Sequence, residues 1–482
     1  MTSVAVATEN KAGLAYWAAR VLEECDRASA GFAADPVHDL RVAIRRCRSM
    51  ADGFLSVDPD PAWKQMKRLA KPLFSSLGEL RDTQVMLEWV AKLAPAEDAV
   101  GKQLSTELQH KELQLKESAQ QALAGFDRKH WVLLNDHLAN RTDRVPQEGP
   151  VFQHLALERW MEARELHRRA LRNRSAFAWH QLRIGLKRFR YTVENFLPLR
   201  HQKWAKELRD LQDALGEVHD LDVLRGMIRA HGGISLEERQ GWQDHIAAER
   251  AKRLLLYRKK MVGRGSLWGR WRADLPHGEA LREAGMEKLR LWASFLDPDI
   301  EHSRLVSRLA LELYNGLSQC GIVRTSVRAQ QILEVAALLH EVGLSKNRNE
   351  AGHHKRSRRL ISKLKPPLGW CEQEMRAVAM LVRYHRGSLP ANSSFVGLER
   401  KSRLELLQLM GILRLANAFD DSHQGRIGKV EVDCQNSAAV IRAQGLQAMS
   451  RDAERVARAR YLLETACRRP VLVRAMRVRR AT

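Results

Sequence analysis

The stretch HDLRVAIRRCR at residues 38–48 returns in altered form as HQLRIGLKRFR at residues 180–190. His38, Arg41, Arg45, Arg46 and Arg48 match His180, Arg183, Lys187, Arg188 and Arg190, every pair at the same spacing. Asp35-Pro36 ahead of the first copy reads as a helix start, because Asp caps free backbone N–H groups and Pro suits the first helical position. At about 100° per residue, helix positions i, i+3, i+7 and i+10 fall within about 80° of one another. His38, Arg41, Arg45 and Arg48 therefore share one face, as do His180, Arg183, Lys187 and Arg190. Neighbouring like charges destabilise an isolated helix by about 0.2–0.5 kcal/mol per pair, and a bound anion removes that penalty. Arg grips phosphate oxygens through paired N–H donors, while His adds a donor whose proton affinity rises beside phosphate. Two such helices facing each other make a basic groove suited to a string of phosphates.

Each copy is followed by a second matching block, LGELRDTQVML at 77–87 and LGEVHDLDVLR at 215–225. Lys64, Lys67, Arg68 and Lys71 put further cations on one helix face before the first block, and Lys203, Lys206 and Arg209 do so less completely before the second. At these residues the sequence resembles the conserved histidine α-helical domain family, CHAD, over roughly residues 12–258. The resemblance implies a mainly α fold of two pseudo-symmetric helical bundles, about 12–140 and 150–258, around a basic channel that binds inorganic polyphosphate. It also implies that His38, Arg41, Arg45, Arg48, His180, Arg183, Lys187 and Arg190 line the channel, with Arg46 and Arg188 beside them. Lys187 stands where the first copy has Arg45, which keeps the charge and loses the bidentate fork.

Charge balance points the same way. Lys plus Arg total 81 against 57 Asp plus Glu, a net charge of +24, and such an excess calls for a polyanionic partner. Polyphosphate, nucleic acid and an anionic membrane surface all qualify on charge alone. Aromatic residues are only 6% of the chain, and the basic faces lack the interleaved rings on which single strands stack, so nucleic acid fits less well. No run of about 18 apolar residues occurs, and the chain start lacks a basic stretch followed by an apolar one, so neither membrane spanning nor export is expected. The scattered cysteines Cys25, Cys47, Cys320, Cys371, Cys434 and Cys467 read as reduced thiols of a cytoplasmic protein, with polyphosphate granules as a further associate.

A length of 482 residues exceeds what one hydrophobic core serves, so more than one domain is expected. Residues 1–258 form the first. The stretch 259–288 mixes Gly, Pro, Arg and Trp without a steady period and reads as a basic linker whose Trp-rich part packs on one domain. Residues 289–482 form a second helical domain, in which KVEVD at 429–433 and AAVIRA at 438–443 alternate as strands do; a helix near 450–468 and a short apolar VLV follow.

In that second part EHSRLVSRLALELY, LEVAALLHEVGL, AGHHKRSRRLI, LVRYHRGSLP and LLQLMGILRLANAFDDS follow one another. They resemble the HD-like helical domain at the C-terminal end of the exopolyphosphatase and guanosine pentaphosphate phosphohydrolase family, over about 295–475. In that family catalysis belongs to a separate ATPase fold whose glycine-rich phosphate loops are not seen in this sequence. A working HD site needs a His, a His-Asp pair and a later Asp around a metal. The counterparts are His302, His340 and Glu341, with Asn417 at the late position, so charge and geometry are eroded. No catalytic residue is assigned and no cofactor is required; a divalent metal on His302, His340 and Glu341 is the one candidate. His353, His354, Lys355, Arg356, His385 and Arg386 form a candidate phosphate-contacting patch. The expected function is binding of inorganic polyphosphate without catalysis. Two alternatives stay open: a metal-dependent phosphohydrolase acting on polyphosphate or a nucleotide, and a nucleic-acid-binding protein.

Overall fold

Helices dominate the computed structural model, which describes residues 13–95, 98–346, 351–435, 438–447 and 449–476. The first series is α1 (Leu14–Ser29), α2 (Ala34–Phe54), α3 (Pro61–Leu69), α4 (Lys71–Leu93), α5 (Ala99–Ala124) and α6 (Arg128–Thr142). The second is α7 (Pro150–Asn173), α8 (Ala176–Phe196), α9 (Pro198–Ala230), α10 (Leu236–Met261) and α11 (Leu267–Ala273). The repeat seen in sequence governs both. Helices α2 and α8, which carry the two His-Arg copies, are each 21 residues long and begin and end at equivalent positions. Helices α5 and α10 are each 26 residues. The first copy breaks at Ala70 into α3 and α4, whereas α9 runs unbroken for 33 residues. Pro72 supplies the reason: it lacks an N–H, and its ring would clash with the carbonyl four residues back. Helix α2 starts at Ala34 without a side-chain cap, so Asp35 lies inside the first turn, where its charge meets the positive end of the helix dipole.

The ends of α2 and α8 are clasped by aromatic rings. Phe54 stacks on Trp63 at 4.8 Å, Phe152 stacks on Phe196 at 4.0 Å, and Phe54 meets both Phe152 and Phe196 edge-on at 5.5 Å. Phe54 and Phe196 are equivalent residues of the repeat, so the clasp lies on the pseudo-symmetry of the bundle pair. Gly53 makes it possible, because a Cβ there would sit inside the Phe196 ring. Such rings bury large apolar areas and favour stacked and edge-on geometries.

The chain divides into two compact units between His277 and Gly278. The stretch expected as a linker, 259–288, is therefore shared between them. Its centre folds as α11, and Trp268 and Trp271 are buried in the first unit against Trp160, Trp204 and Phe189. Burial of two indoles outweighs the helix-breaking composition that marked the segment as irregular.

The second unit contains α12 (Gly278–Leu296), α13 (Ile300–Gln319), α14 (Val327–Leu339), α15 (His353–Ile361), α16 (Glu372–Tyr384), α17 (Arg400–Ala418) and α18 (Arg451–Cys467). A three-stranded sheet of β1 (Val430–Gln435), β2 (Ala438–Ala443) and β3 (Val471–Ala475) completes it. Strands β1 and β2 are antiparallel, and the VLV run forms β3, parallel to β2 across the α18 crossover. Leu309, Leu313, Leu333, Ala336, Leu381, Met410 and Leu413 are wholly buried among the helices. No helix of the described residues is long and apolar enough to cross a membrane, and all six cysteines are free thiols.

The clasp gives a first test: Gly53→Ala should destabilise the protein by about 1–3 kcal/mol, the usual effect of overpacking a filled core. Urea denaturation followed by circular dichroism measures it, and an unchanged midpoint would show that the rings have room to spare.

Candidate functional site

Helices α2 and α8 pack together, and α4 and α9 flank them. On the facing surfaces Arg41 feels the charges of Arg45 and Arg183, and Lys187 those of all three. Phe74 of α4 supports Arg41 and Arg48, whose guanidinium carbons stand 5.1 and 5.0 Å from its ring centre. Tyr191 supports Arg45 at 5.3 Å. Arg41 Nη1 also donates to the Phe74 carbonyl at 3.4 Å, and Arg48 Nη1 to the Lys67 carbonyl at 2.9 Å. Gly78 of the LGEL block leaves space for this arrangement, since a Cβ there would lie 2.6 Å from Arg41 Nη1.

Burial and the neighbouring positive charges hold Arg41 and Arg45 below the ordinary guanidinium range. A guanidinium does not shed its proton in a protein, so the strain of assembling these charges stays in the folded state until an anion relieves it. Arg45 Nε and Arg183 Nε are buried without a hydrogen-bond partner. Lys187 is pushed down to about 7, by burial first and then by Arg183, Arg45 and Arg41. His38 and His180 are both lowered by desolvation and by the surrounding cations.

Two elements of the second block enter this site, although only the block's recurrence hinted at them. His219 Nδ1 is 3.1 Å from His180 Nδ1, and burial with Arg183 holds His219 down to about 4. Asp220 is pushed up to about 6 by burial, with Arg183 opposing and Asp82, its repeat mate, reinforcing the rise. The rings of Phe74 and Tyr191 were not anticipated either.

Other expected binders are paired or exposed. Arg46 is taken by Glu194 and donates to Asn195 Oδ1 at 2.9 Å, and Arg188 pairs with Glu162 at 2.8 Å on an exposed surface. Arg190 approaches Glu194 at 3.5 Å, and Lys67 pairs with Asp52. Lys64, Arg68, Lys71, Lys206 and Arg209 are exposed.

In the second unit, the three metal candidates do come together. One ligand atom each from His302, His340 and Glu341 lie within 4.8 Å of one another, all three residues buried. His302 follows the α13 cap, where Asp299 accepts its backbone N–H at 3.2 Å. His302 Nδ1 bonds Asp420 Oδ2 at 2.8 Å, and His340 Nδ1 bonds the Ala337 carbonyl at 2.6 Å. Both Nε2 atoms then aim at Asn417 Oδ1, at 3.3 and 2.9 Å. Asp420, one turn beyond Asn417, was not singled out in the sequence; its other oxygen accepts from Gln424 and Gly425 N–H groups. His353 and His385, expected as phosphate contacts, are instead buried with their Nε2 atoms 3.2 Å apart.

Residues 12–229 match the CHAD domain family, and residues 281–452 match Ppx/GppA phosphatase, domain III. The chain joins a CHAD domain to a Ppx/GppA domain III. A crystal structure of the CHAD domain from the plant Ricinus communis is similar at 22% identity, covering 51% of this chain and 88% of that chain, with a TM-score of 0.41.

The donor set of domain III fits a cation. Each imidazole spends Nδ1 on an acceptor, so that in the neutral ring the Nε2 lone pair is directed inward; at His302, against the effect of burial, Asp420 and Glu341 hold the ring above its ordinary range, so a cation there competes with a proton. Burial and the neighbouring His302 hold His340 well below the ordinary range, so its ring is neutral. Glu341 Oε2 is buried without a partner. His302, His340 and Glu341 would hold a divalent ion with Asn417 Oδ1 as a neutral fourth donor, and such an ion supplies polarisation of phosphoryl oxygens.

The CHAD face predicts a proton-linked affinity. Unfolded, Lys187 keeps its proton up to the ordinary value of 10.5; folded and empty, only up to about 7. Its buried charge thus opposes folding at low pH, and its contribution to stability rises between those values. A phosphate beside Lys187 raises its affinity for the proton again. Polyphosphate binding at pH 8 should therefore take up protons, and affinity should fall as pH rises. Calorimetry in buffers of different ionisation enthalpy measures the uptake, and Lys187→Arg should remove most of it at pH 8, leaving only the histidines' share.

Proposed function

We propose that this protein binds inorganic polyphosphate on the CHAD face between α2 and α8, and that the face acts by holding the polymer and not by cleaving it. One observation carries the reading: Arg41, Arg45, Arg183 and Lys187 converge, and none of them has an acidic ion-pair partner among the described residues. Elsewhere in the same unit, other partly buried cations are neutralised, as Arg141 is by Asp58 at 2.6 Å and Arg250 by Asp222 at 2.8 Å. A charge cluster left open at such density suits a ligand with one negative charge per short repeat. The supporting rings favour polyphosphate over single-stranded nucleic acid, because Phe74 and Tyr191 already carry guanidiniums, and a base would need those faces.

A second reading rests on the His302, His340 and Glu341 cluster, which suits a metal-dependent phosphohydrolase. Under the first reading, purified protein with Mn²⁺ or Mg²⁺ should release little phosphate from polyphosphate, measured colorimetrically over hours. Sustained turnover that His340→Ala removes would put the second reading in its place.

The face itself is tested by changing Arg41, Arg45, Arg183 and Lys187 together to Gln, which keeps helix propensity while removing charge. A charge-assisted hydrogen bond contributes about 1.5–3 kcal/mol net, so even half-strength, non-additive losses weaken polyphosphate binding by about several hundred-fold. The salt dependence should become shallower, because fewer counterions are released. Thermal stability should hold or rise as like-charge pairs disappear. Changing the exposed Lys111, Lys129, Arg172 and Arg229 to Gln lowers net charge equally and should matter far less. Equal losses in the two variants would mean that diffuse charge, and not this face, holds the polymer.

A further inference from the structure

Helix α15 carries Lys355, Arg356, Arg358 and Arg359 within nine residues and no acidic residue. Its inward side carries His353, Ser357 and Ile361, all buried. Lys355, Arg358 and Arg359 project outward at helical neighbour spacing, and Ser362 and Lys363 continue the same surface past the helix end. With Arg383 of α16 they line a cleft of about 460 Å³.

Several cations elsewhere in this unit are ion-paired. Arg304 pairs with Glu301 at 2.6 Å, Arg308 with Glu312 at 3.0 Å, Arg290 with Glu334 at 2.6 Å and Arg455 with Asp421 at 2.9 Å. In the cleft, none of the five cations has an acidic partner among the described residues. Arg383 lies over Tyr384 at 5.0 Å, and its Nη1 is buried without any hydrogen-bond partner. Burying a guanidinium donor unpaired is unfavourable unless something completes it. The field in the cleft is strong enough to act on a neighbour: burial, then Arg383 and the adjoining cations, hold His354 down to about 4.

We propose that the α15–α16 cleft is a second anion site that takes a short run of phosphates, an oligophosphate or a segment of a longer chain. Arg383 supplies the recessed fork, Arg358, Arg359, Lys355 and Lys363 surround the remaining oxygens, and Ser362 offers a hydroxyl donor. The observations lie wholly within domain III, so the site does not depend on the CHAD face being a polyphosphate receptor.

Tripolyphosphate is the probe, titrated calorimetrically into the full chain already carrying the four Gln substitutions of the CHAD face. That protein should still bind about one tripolyphosphate. Adding Arg358→Gln, Arg359→Gln and Lys363→Gln should weaken binding by at least about thirty-fold, on half-strength charge-assisted hydrogen bonds. These three residues are exposed, so thermal stability should not fall, which separates lost binding from lost folding. Arg383→Lys, which keeps charge and removes the fork, should also weaken binding. Three outcomes overturn the proposal: tripolyphosphate binding lost on the CHAD substitutions alone, affinity unchanged by the α15 substitutions, or a short single-stranded DNA of equal charge binding as tightly and losing as much.

Discussion

Two helix faces of like charge are held against each other by a small aromatic clasp, and the first unit depends on that forced proximity. Left to electrostatics, α2 and α8 would turn their Arg and Lys rows away from one another. Phe54, Phe196, Phe152 and Trp63 fill the space at the helix ends, and Gly53 lets the rings close. Apolar burial is indifferent to the charges a few turns away, so the core sets the geometry and the cations must tolerate it. The consequence is visible in Lys187, whose proton is loosened to about 7, and in Arg side chains that cannot respond in that way.

Tolerance comes from the groups packed around the cations. Rings of Phe74 and Tyr191 and carbonyls of Phe74 and Lys67 give the guanidiniums partial negative surfaces without neutralising them. Asp220 is close to Arg183 and Lys187; its burial and Asp82 push it up to about 6, which leaves it largely ionised near neutral pH, but among the described residues it forms no direct ion pair with either cation and offsets only part of the cluster's charge. The result is an array kept in place and still short of negative charge, which is the state a preorganised polyanion receptor requires.

Domain III orders its polar interior by a different device. Asp420, the Ala337 carbonyl and the Val382 carbonyl each take an Nδ1 of His302, His340 and His385, and so decide which way every ring faces. Ser357 pins the turn between α14 and the residues after it, accepting from Gly343 N–H and donating to the His340 carbonyl, both at 2.8 Å. Gly343 has no space for a side chain there, since a Cβ would lie 2.6 Å from Ser357 N.

What the chain shows in one dimension is periodic. The His-Arg repeat, its shared helix faces and its equal helix lengths follow from spacing alone, because an α-helix turns by a constant angle and equivalent sequences give equivalent faces. Strands β1 and β2 were legible by alternation, whereas the VLV run that became β3 stood out only as apolar. The candidate trio His302, His340 and Glu341 was legible as a pattern of residue types. Which cations remain open was not. Arg46 and Arg188 sit in the repeat beside Arg45 and Lys187, yet Glu194 and Glu162 claim them. Glu194 reaches Arg46 of α2 from α8, and Glu162 reaches Arg188 of α8 from α7, and only packing decides that they arrive. The same holds for Trp268 and Trp271, which convert an irregular stretch into buried structure, and for Asp420, which reaches His302 across 118 positions of sequence. Spacing determines what shares a face; long-range burial determines which of those groups is neutralised, because pairing energy depends on distances that only the folded chain sets.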